Sequence, residues 1–431
     1  MLLSAVKKPK FLLSFFIVAF LGIFAVYNLP PVQDRVGWRV AELMARFKYA
    51  IAPPEEVVFV PQEKTILSTP TVPVTPATTT AASRTTAAIT PSATPDLLDT
   101  PTRTPTPIPQ NIKLTGFKHE YQTWNNCGPA TLGMALSYWG WVGDQRPIAA
   151  FTKPNSRDKN VMPYELTAFV EKKTKLMVLS RVGGDIELLK RLIASGFPVI
   201  IEKGFEGPDF EGWMGHYALV TGYSDSDKQF TLQDSYYGPD QIMKYQDLES
   251  YWRAFNFTYI VVYPVERSKE VMAILGPNAD EENNDRDAAQ KASDEIYRLS
   301  GRDQFFAWFN RGTNLVRLQD YAGAAAAYDE AFALYPSIAE KERPWRMMWY
   351  QTGPYWAYYY TGRYQDVINL ATTTLDAMSE PVLEESYYWR ALARQTLGDS
   401  KGATKDLRSS LEYHPGFEPV LTQLEQLGET P

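Results

Sequence analysis

Residues 121–141 read YQTWNNCGPATLGMALSYWGW, and this stretch holds the single cysteine of the chain, Cys127. Gly128, Pro129 and Ala130 follow it, and proline suits the first turn of a helix, where its missing N–H is not needed. Leu132, Leu136 and Trp139 then share one helical face. The pattern predicts a helix opening at Cys127, which leaves the sulfur at an N-terminus where unpaired N–H groups and the dipole favour a thiolate. A lone cysteine is commonly a small buried hydrophobe instead. Its neighbours must decide between a nucleophile and a packing residue.

A cysteine nucleophile needs a base, a group that orients the base, and donors for an oxyanion. The chain has three histidines, His119, His216 and His414. His216 opens HYALVTGY after the Gly-rich loop EGPDFEGWMG, and Asp234 ends KQFTLQD. If these two runs form a hairpin closed by SDSD at Ser224–Asp227, residue 216 faces about residue 235, which brings Asp234 beside His216. Gln122 lies five residues before Cys127. Its side-chain amide and the Cys127 backbone N–H are expected to form a two-donor oxyanion hole. His119 has no orienting acid on a paired strand, and His414, beside Pro415, is expected to be structural at a helix C-terminus.

Outward from this centre, Ile112 to Pro264 mixes helical and strand patterns. Asp185–Ala194 is amphipathic, Gly196 ends it, and the strands PVII (198–201) and FTYIVVY (257–263) follow. The expected fold is α+β, helices first and a mostly antiparallel sheet after. The set Gln-x4-Cys-Gly-Pro-Ala-x-Leu, Gly-Phe-Pro-Val-Ile-Ile, Gly-His-Tyr-Ala-Leu-Val-x-Gly-Tyr and Asp-Ser-Tyr-Tyr-Gly resembles the C39-like cysteine peptidases of the papain-like superfamily, over residues 111–265. The resemblance implies a Cys-His-Asp triad with an oxyanion glutamine, carried onto Cys127, His216, Asp234 and Gln122, and hydrolysis of a peptide bond through a thioester. The best understood members are fused to peptide-exporting transporters and cut leader peptides after a double glycine. The 431 residues hold no nucleotide-binding motif. The resemblance therefore bears on the chemistry more than on the substrate.

Beyond Glu266 the patterns are helical only. Trp308, Gly312, Tyr321, Ala324, Tyr328, Ala331 and Pro336 fall in the order of a tetratricopeptide repeat, and Tyr387, Ala391, Ala403, Leu407 and Pro415 repeat it. Gly362 and Tyr364 mark a middle unit, after an insertion near Ile338–Trp345. Residues 266–431 are thus expected to form an all-α repeat solenoid, whose concave groove would recruit a peptide substrate or a protein partner. The run PYWAYYY (354–360) is too aromatic for one helix face, so half of it should enter the core.

The N-terminal third is different. Residues 11–27, FLLSFFIVAFLGIFAVY, follow Lys7, Lys8 and Lys10 and are long enough to span a bilayer. Residues 1–29 read as a cytoplasmic tip and uncleaved transmembrane signal anchor, with a cleaved signal peptide as the competing reading. The preceding lysines favour a cytoplasmic N-terminus, which puts the peptidase and repeat domains outside the cell membrane. Residues 30–60 form a juxtamembrane segment, whose helix over 33–50 carries an apolar stripe of Val36, Val40, Leu43, Met44 and Phe47. Residues 61–110 are dominated by Thr and Pro and should be a disordered linker.

The balance of 43 Lys+Arg against 50 Asp+Glu gives a net charge of −7, which argues against nucleic acid as a partner. One cysteine excludes a Cys-based zinc site, and no cofactor or metal pattern stands out. Glu206, Asp209 and Glu211 precede His216 in a loop that either edges the cleft, favouring basic substrate positions, or is merely solvated, the plainer of the two readings. Two further functions fit the same residues: a catalytically silent peptide-binding scaffold, and an acyltransferase that passes the thioester to an amine.

Overall fold

A computed structural model describes residues 14–15, 18–19, 22, 30–62, 108–155, 157–207 and 212–430. Most of the expected membrane span at 11–27, most of the expected linker at 61–110, and Asp209 and Glu211 lie outside the described residues. Among those described, no helix is long and apolar enough to cross a membrane.

The chain from Asn111 to Tyr263 builds a seven-stranded antiparallel sheet. Its strands are β1 (Asn111–Lys113), β2 (Met177–Arg181), β3 (Val199–Gly207), β4 (Gly212–Ser224), β5 (Gln229–Asp234), β6 (Gly238–Lys244) and β7 (Tyr259–Tyr263). The order across the sheet is β2-β7-β3-β4-β5-β6, with β1 paired to the far end of β4. Successive side chains of a strand point to opposite faces, and here both faces are covered. Ile200, Leu219, Ile260 and Val262 pack under α2 (Cys127–Tyr138), α3 (Gln145–Thr152) and α4 (Pro163–Lys173). Val199, Ile201, Ala218 and Val220 pack under α5 (Ile186–Ala194) and α6 (Tyr245–Arg253). Two-sided burial explains the unbroken apolar run at 199–201.

The second half is helical. Helices α7 (Ser268–Leu275) and α8 (Glu281–Ile296) lead into three antiparallel pairs: α9 (Gly301–Arg317) with α10 (Tyr321–Leu334), α12 (Gly353–Tyr360) with α13 (Tyr364–Ala377), and α14 (Glu384–Thr396) with α15 (Ser400–Tyr413). Helix α16 (Glu418–Gln426) closes the stack. A Cβ on Gly312 would lie 2.7 Å from the ring of fully buried Tyr328, so the glycine is what lets α9 and α10 approach. Tyr355, Ala357 and Tyr358 of PYWAYYY are buried, while Trp356 and Tyr360 are exposed, which matches the expected division. The insertion forms a loop with a short α11 (Met347–Tyr350).

The two halves share one core. Trp213 and Phe255 stack with centroids 5.7 Å apart and lie in one apolar cluster with Phe306, Tyr328 and Tyr358. Buried polar groups at the junction find partners: Asn256 Nδ2 donates to Asn314 Oδ1 at 2.6 Å, and Asn314 Nδ2 returns a bond to Asn256 Oδ1 at 3.2 Å. Glu206, near the end of β3, is paired to Arg302 of α9 at 2.7 Å.

The helix expected over 33–50 is present as α1 (Pro30–Ile51). Leu43, Met44 and Phe47 of the expected apolar stripe are exposed, while Ala45 and Tyr49 are buried against the rest of the molecule.

Candidate active site

Cys127 is the first residue of α2, and the turn before it is tightly held. Asn125 takes a left-handed backbone (φ 53°), which asparagine tolerates well. Gln145 clamps this turn. Its Oε1 accepts the Thr123 N–H at 2.8 Å and the Asn126 side-chain amide at 3.2 Å, while its Nε2 donates to Tyr121 O at 2.8 Å. Buried Lys153 donates to Asn125 O at 2.9 Å from the other side. The helix behind is buried from Gly128 to Leu136, so the sulfur is presented by a rigid element.

His216 does not open its strand as expected. It lies inside β4, four residues from its start and only 4% exposed, because pairing with β3 extends back to Gly212 and sets Lys203 opposite His216. Hairpin register also differs from the simple count. A bulge between Val220 and Gly222 shifts it by one, so Leu219 opposes Gln233. Asp234 therefore meets the imidazole diagonally, with His216 Nε2 3.0 Å from Asp234 Oδ1. The same oxygen accepts the backbone N–H groups of Tyr236 and Tyr237 at 2.9 and 3.0 Å.

With Nε2 turned to Asp234, the other ring nitrogen is the one left for Cys127, whose side chain lines the same cavity. Burial alone would push the thiol up. The hydrogen bond and charge of His216, a bond from the Tyr217 backbone and nearby Lys153 outweigh it and hold Cys127 below the ordinary 9.0. For His216, burial pulls down, but Asp234 and Cys127 together raise it above the ordinary 6.5. Burial would likewise raise Asp234, yet the His216 bond and charge and Lys203 hold it well below the usual carboxylate range. These three shifts favour a thiolate–imidazolium pair braced by a carboxylate.

Gln122 joins the same cavity. Its backbone N–H donates to Ser235 O at 2.9 Å, and Ser235 Oγ donates to Gln122 Oε1 at 2.8 Å. Because the amide oxygen is occupied as an acceptor, the NH2 end is the one left to donate.

His119 is not brought to the site. Its Nδ1 lies 3.2 Å from Gln233 Oε1, on the residue before Asp234 and so on the other face of β5. His414 is also remote, with Nδ1 2.8 Å from Glu384 Oε1. Glu384, Glu165 and His414 do lie together, their potential ligand atoms within 4.8 Å of one another. Sequence spacing gave no sign of this, because the three come from α4, α14 and the end of α15.

Several residues near the sulfur went unread in the sequence. Glu202 lines the cavity with Cys127 and is 4% exposed, and burial holds its carboxyl well above the usual range. Lys203, equally buried, sits in the field of Asp234 and Cys127. Both fall within an apolar-looking strand, and only the fold shows that the cavity reaches Glu202.

Residues 110–260 match the family described as Peptidase_C39 like family, and residues 305–338 match the tetratricopeptide repeat. The chain thus places a C39-like peptidase region ahead of a tetratricopeptide repeat, as its motifs implied. Among solved structures it is similar to a C39-like peptidase from Bacillus anthracis, at 16% identity and a TM-score of 0.30, covering 36% of this chain and 98% of that one. It is also similar to the peptidase domain of Streptococcus ComA, a bi-functional ABC transporter of a quorum sensing pathway (16%, TM-score 0.27, 34% and 98% covered). A third is xylellain, a cysteine protease from Xylella fastidiosa (16%, TM-score 0.29, 37% and 87% covered). No curated protein matches this chain.

Proposed function

We propose that this chain is a cysteine peptidase that hydrolyses a peptide bond through a thioester on Cys127. The observation that supports the reading is one cavity lined by Cys127, His216 and Gln122, with His216 Nε2 3.0 Å from Asp234 Oδ1. The Cys127 thiolate attacks the carbonyl carbon, forming the C–S bond while the C=O electrons move onto oxygen. The Gln122 amide and the Cys127 backbone N–H receive that oxyanion. As the C–N bond breaks, His216 gives its proton to the leaving amine. A water then attacks the thioester, gives a proton to His216 and releases the acid, and the sulfur departs as thiolate.

On this reading the apolar run at 11–27 anchors the enzyme in the cell membrane, with the peptidase and repeat regions extracytoplasmic and the Thr/Pro stretch as a tether. The repeats recruit the peptide or protein substrate. A purified full chain incubated with a peptide library and read by mass spectrometry tests the activity. Cleavage in the wild type that is lost in both Cys127→Ala and His216→Ala supports it. Equal cleavage in all three would reject it, and products joined to an added amine would point to acyl transfer.

A further inference from the structure

The cavity that holds Cys127 and His216 is about 260 Å³ in volume, and the peptidase region does not enclose it alone. Trp349 and Tyr350 from the loop between repeats line one side. Glu42, Ala45 and Tyr49 of α1 line another. These three recur at three and four residues, so they form one helical face.

That face is fastened to the repeats rather than to the sheet. Lys48 Nζ donates to the carbonyls of Asp376 and Met378, the Ser379 N–H donates to Tyr49 Oη at 3.1 Å, and the Tyr49 ring meets Trp345 edge-on at 5.3 Å. The chain then turns through a short 3-10 helix, Pro54–Glu56, and runs extended along the repeats. Phe59, 8% exposed, inserts among them with its centroid 5.0 Å from Phe332 and 6.3 Å from Tyr358. Asp366 Oδ1 accepts the Gln62 N–H at 2.8 Å. An extended segment with one aromatic anchor and a backbone bond to an acidic side chain is how a groove holds a peptide ligand. Here the ligand belongs to the chain itself.

We propose that residues 42–62 are an intramolecular ligand of the repeat region whose docked state closes the active-site cleft. The surface beneath Phe59 is a binding groove for an extended peptide with an aromatic anchor, and a competing peptide of that chemistry opens the cleft. The closure rests on the peptidase reading, whereas the docking does not.

The test uses the full chain in detergent, as wild type, as Phe59→Ala, and as wild type with an excess of a synthetic peptide of residues 53–62. Two quantities are read: hydrogen exchange of the backbone amides of residues 45–52, and alkylation of Cys127 by iodoacetamide and by a bulkier peptidyl electrophile. If the strap is docked in more than nine molecules in ten, its release should raise labelling by the peptidyl electrophile by about tenfold or more. The same release should speed exchange across 45–52. Fast exchange in the untreated wild type would overturn the docking. Strap release with no gain in peptidyl labelling would overturn the closure. A Cys127 inert to iodoacetamide throughout, with amides protected at rest and freed by the peptide, would count against the peptidase reading while supporting the docked strap. The peptide arm decides the matter if Phe59→Ala disturbs the fold.

Discussion

His216 Nε2 lies 3.0 Å from Asp234 Oδ1, an oxygen that also accepts two backbone N–H groups. The carboxylate cannot swing away without stranding those donors, so it fixes both the tilt of the imidazole and the nitrogen offered to Cys127. On the proposed mechanism His216→Ala removes the base and should lower kcat on the order of 10²-fold to 10⁴-fold. Asp234→Asn keeps an oxygen for all three donors but removes the charge that raises His216. Its activity should fall less than in His216→Ala, and the alkaline limb of kcat/KM should move to lower pH. An unmoved limb would show that Asp234 does not act through the imidazole.

Gln122 is oriented by Ser235. If Gln122 donates to the oxyanion as proposed, Gln122→Ala should cost about 10²-fold to 10³-fold in kcat with a smaller change in KM, because such a donor acts in the transition state. Ser235→Ala leaves the amide in place but free to turn, and should give a milder loss in the same direction. Steady-state kinetics of the two variants on one peptide checks the order.

In the repeat region, Gly312→Ala places a methyl 2.7 Å from the Tyr328 ring, which has no room to retreat. Overpacking of this kind costs about 1–3 kcal/mol. A denaturant titration should show a lower midpoint at unchanged slope.

A buried carboxyl group lies where the peptidase region meets α14 and α15. Burial first, then Glu385 and Asp158, hold Glu165 well above the usual range. Burial and then Asp158 do the same to Glu384. A raised carboxyl contributes stability that is complete below its unfolded value and is lost as pH rises through its folded value. His414 is lowered by burial and acts oppositely, losing its contribution as pH falls. Lys153 and Lys159, lowered by burial, also face Asp158. With the carboxyl groups dominant, the melting temperature should fall from about pH 5.5 to about pH 8. Glu384→Gln should flatten that slope, and thermal melts across the range test it.

Much of the site could be read before any coordinates because its chemistry rests on rare residue types. One cysteine and three histidines leave few combinations, and a single turn brought His216 and Asp234 together even though a bulge altered the count. The helix at Cys127 was legible from Gly-Pro-Ala. What escaped was everything that depends on which faces meet. Gln145 and Lys153 clamp the turn before Cys127 from a separate helix and the loop beyond it. Glu202 and Lys203 are charged residues inside a strand that local pattern alone assigns to the core. For α1 the helix was legible from its apolar spacing but its buried face was not, because Ala45, Lys48 and Tyr49 dock through shape and hydrogen bonds rather than through apolar area. The Asn256–Asn314 pair joins residues far apart in the chain, beyond the reach of any local pattern.

The central claim is that His216 lowers the pKa of the Cys127 thiol and so favours its thiolate. The most direct measurement is the rate of Cys127 alkylation by a small electrophile as a function of pH, in the wild type and in His216→Ala. The wild-type rate should rise through a midpoint below the ordinary thiol value of 9.0, and in His216→Ala, where burial remains but the imidazole is gone, the midpoint should move upward. Coincident curves for the two proteins, with midpoints at or above 9.0, would contradict the account.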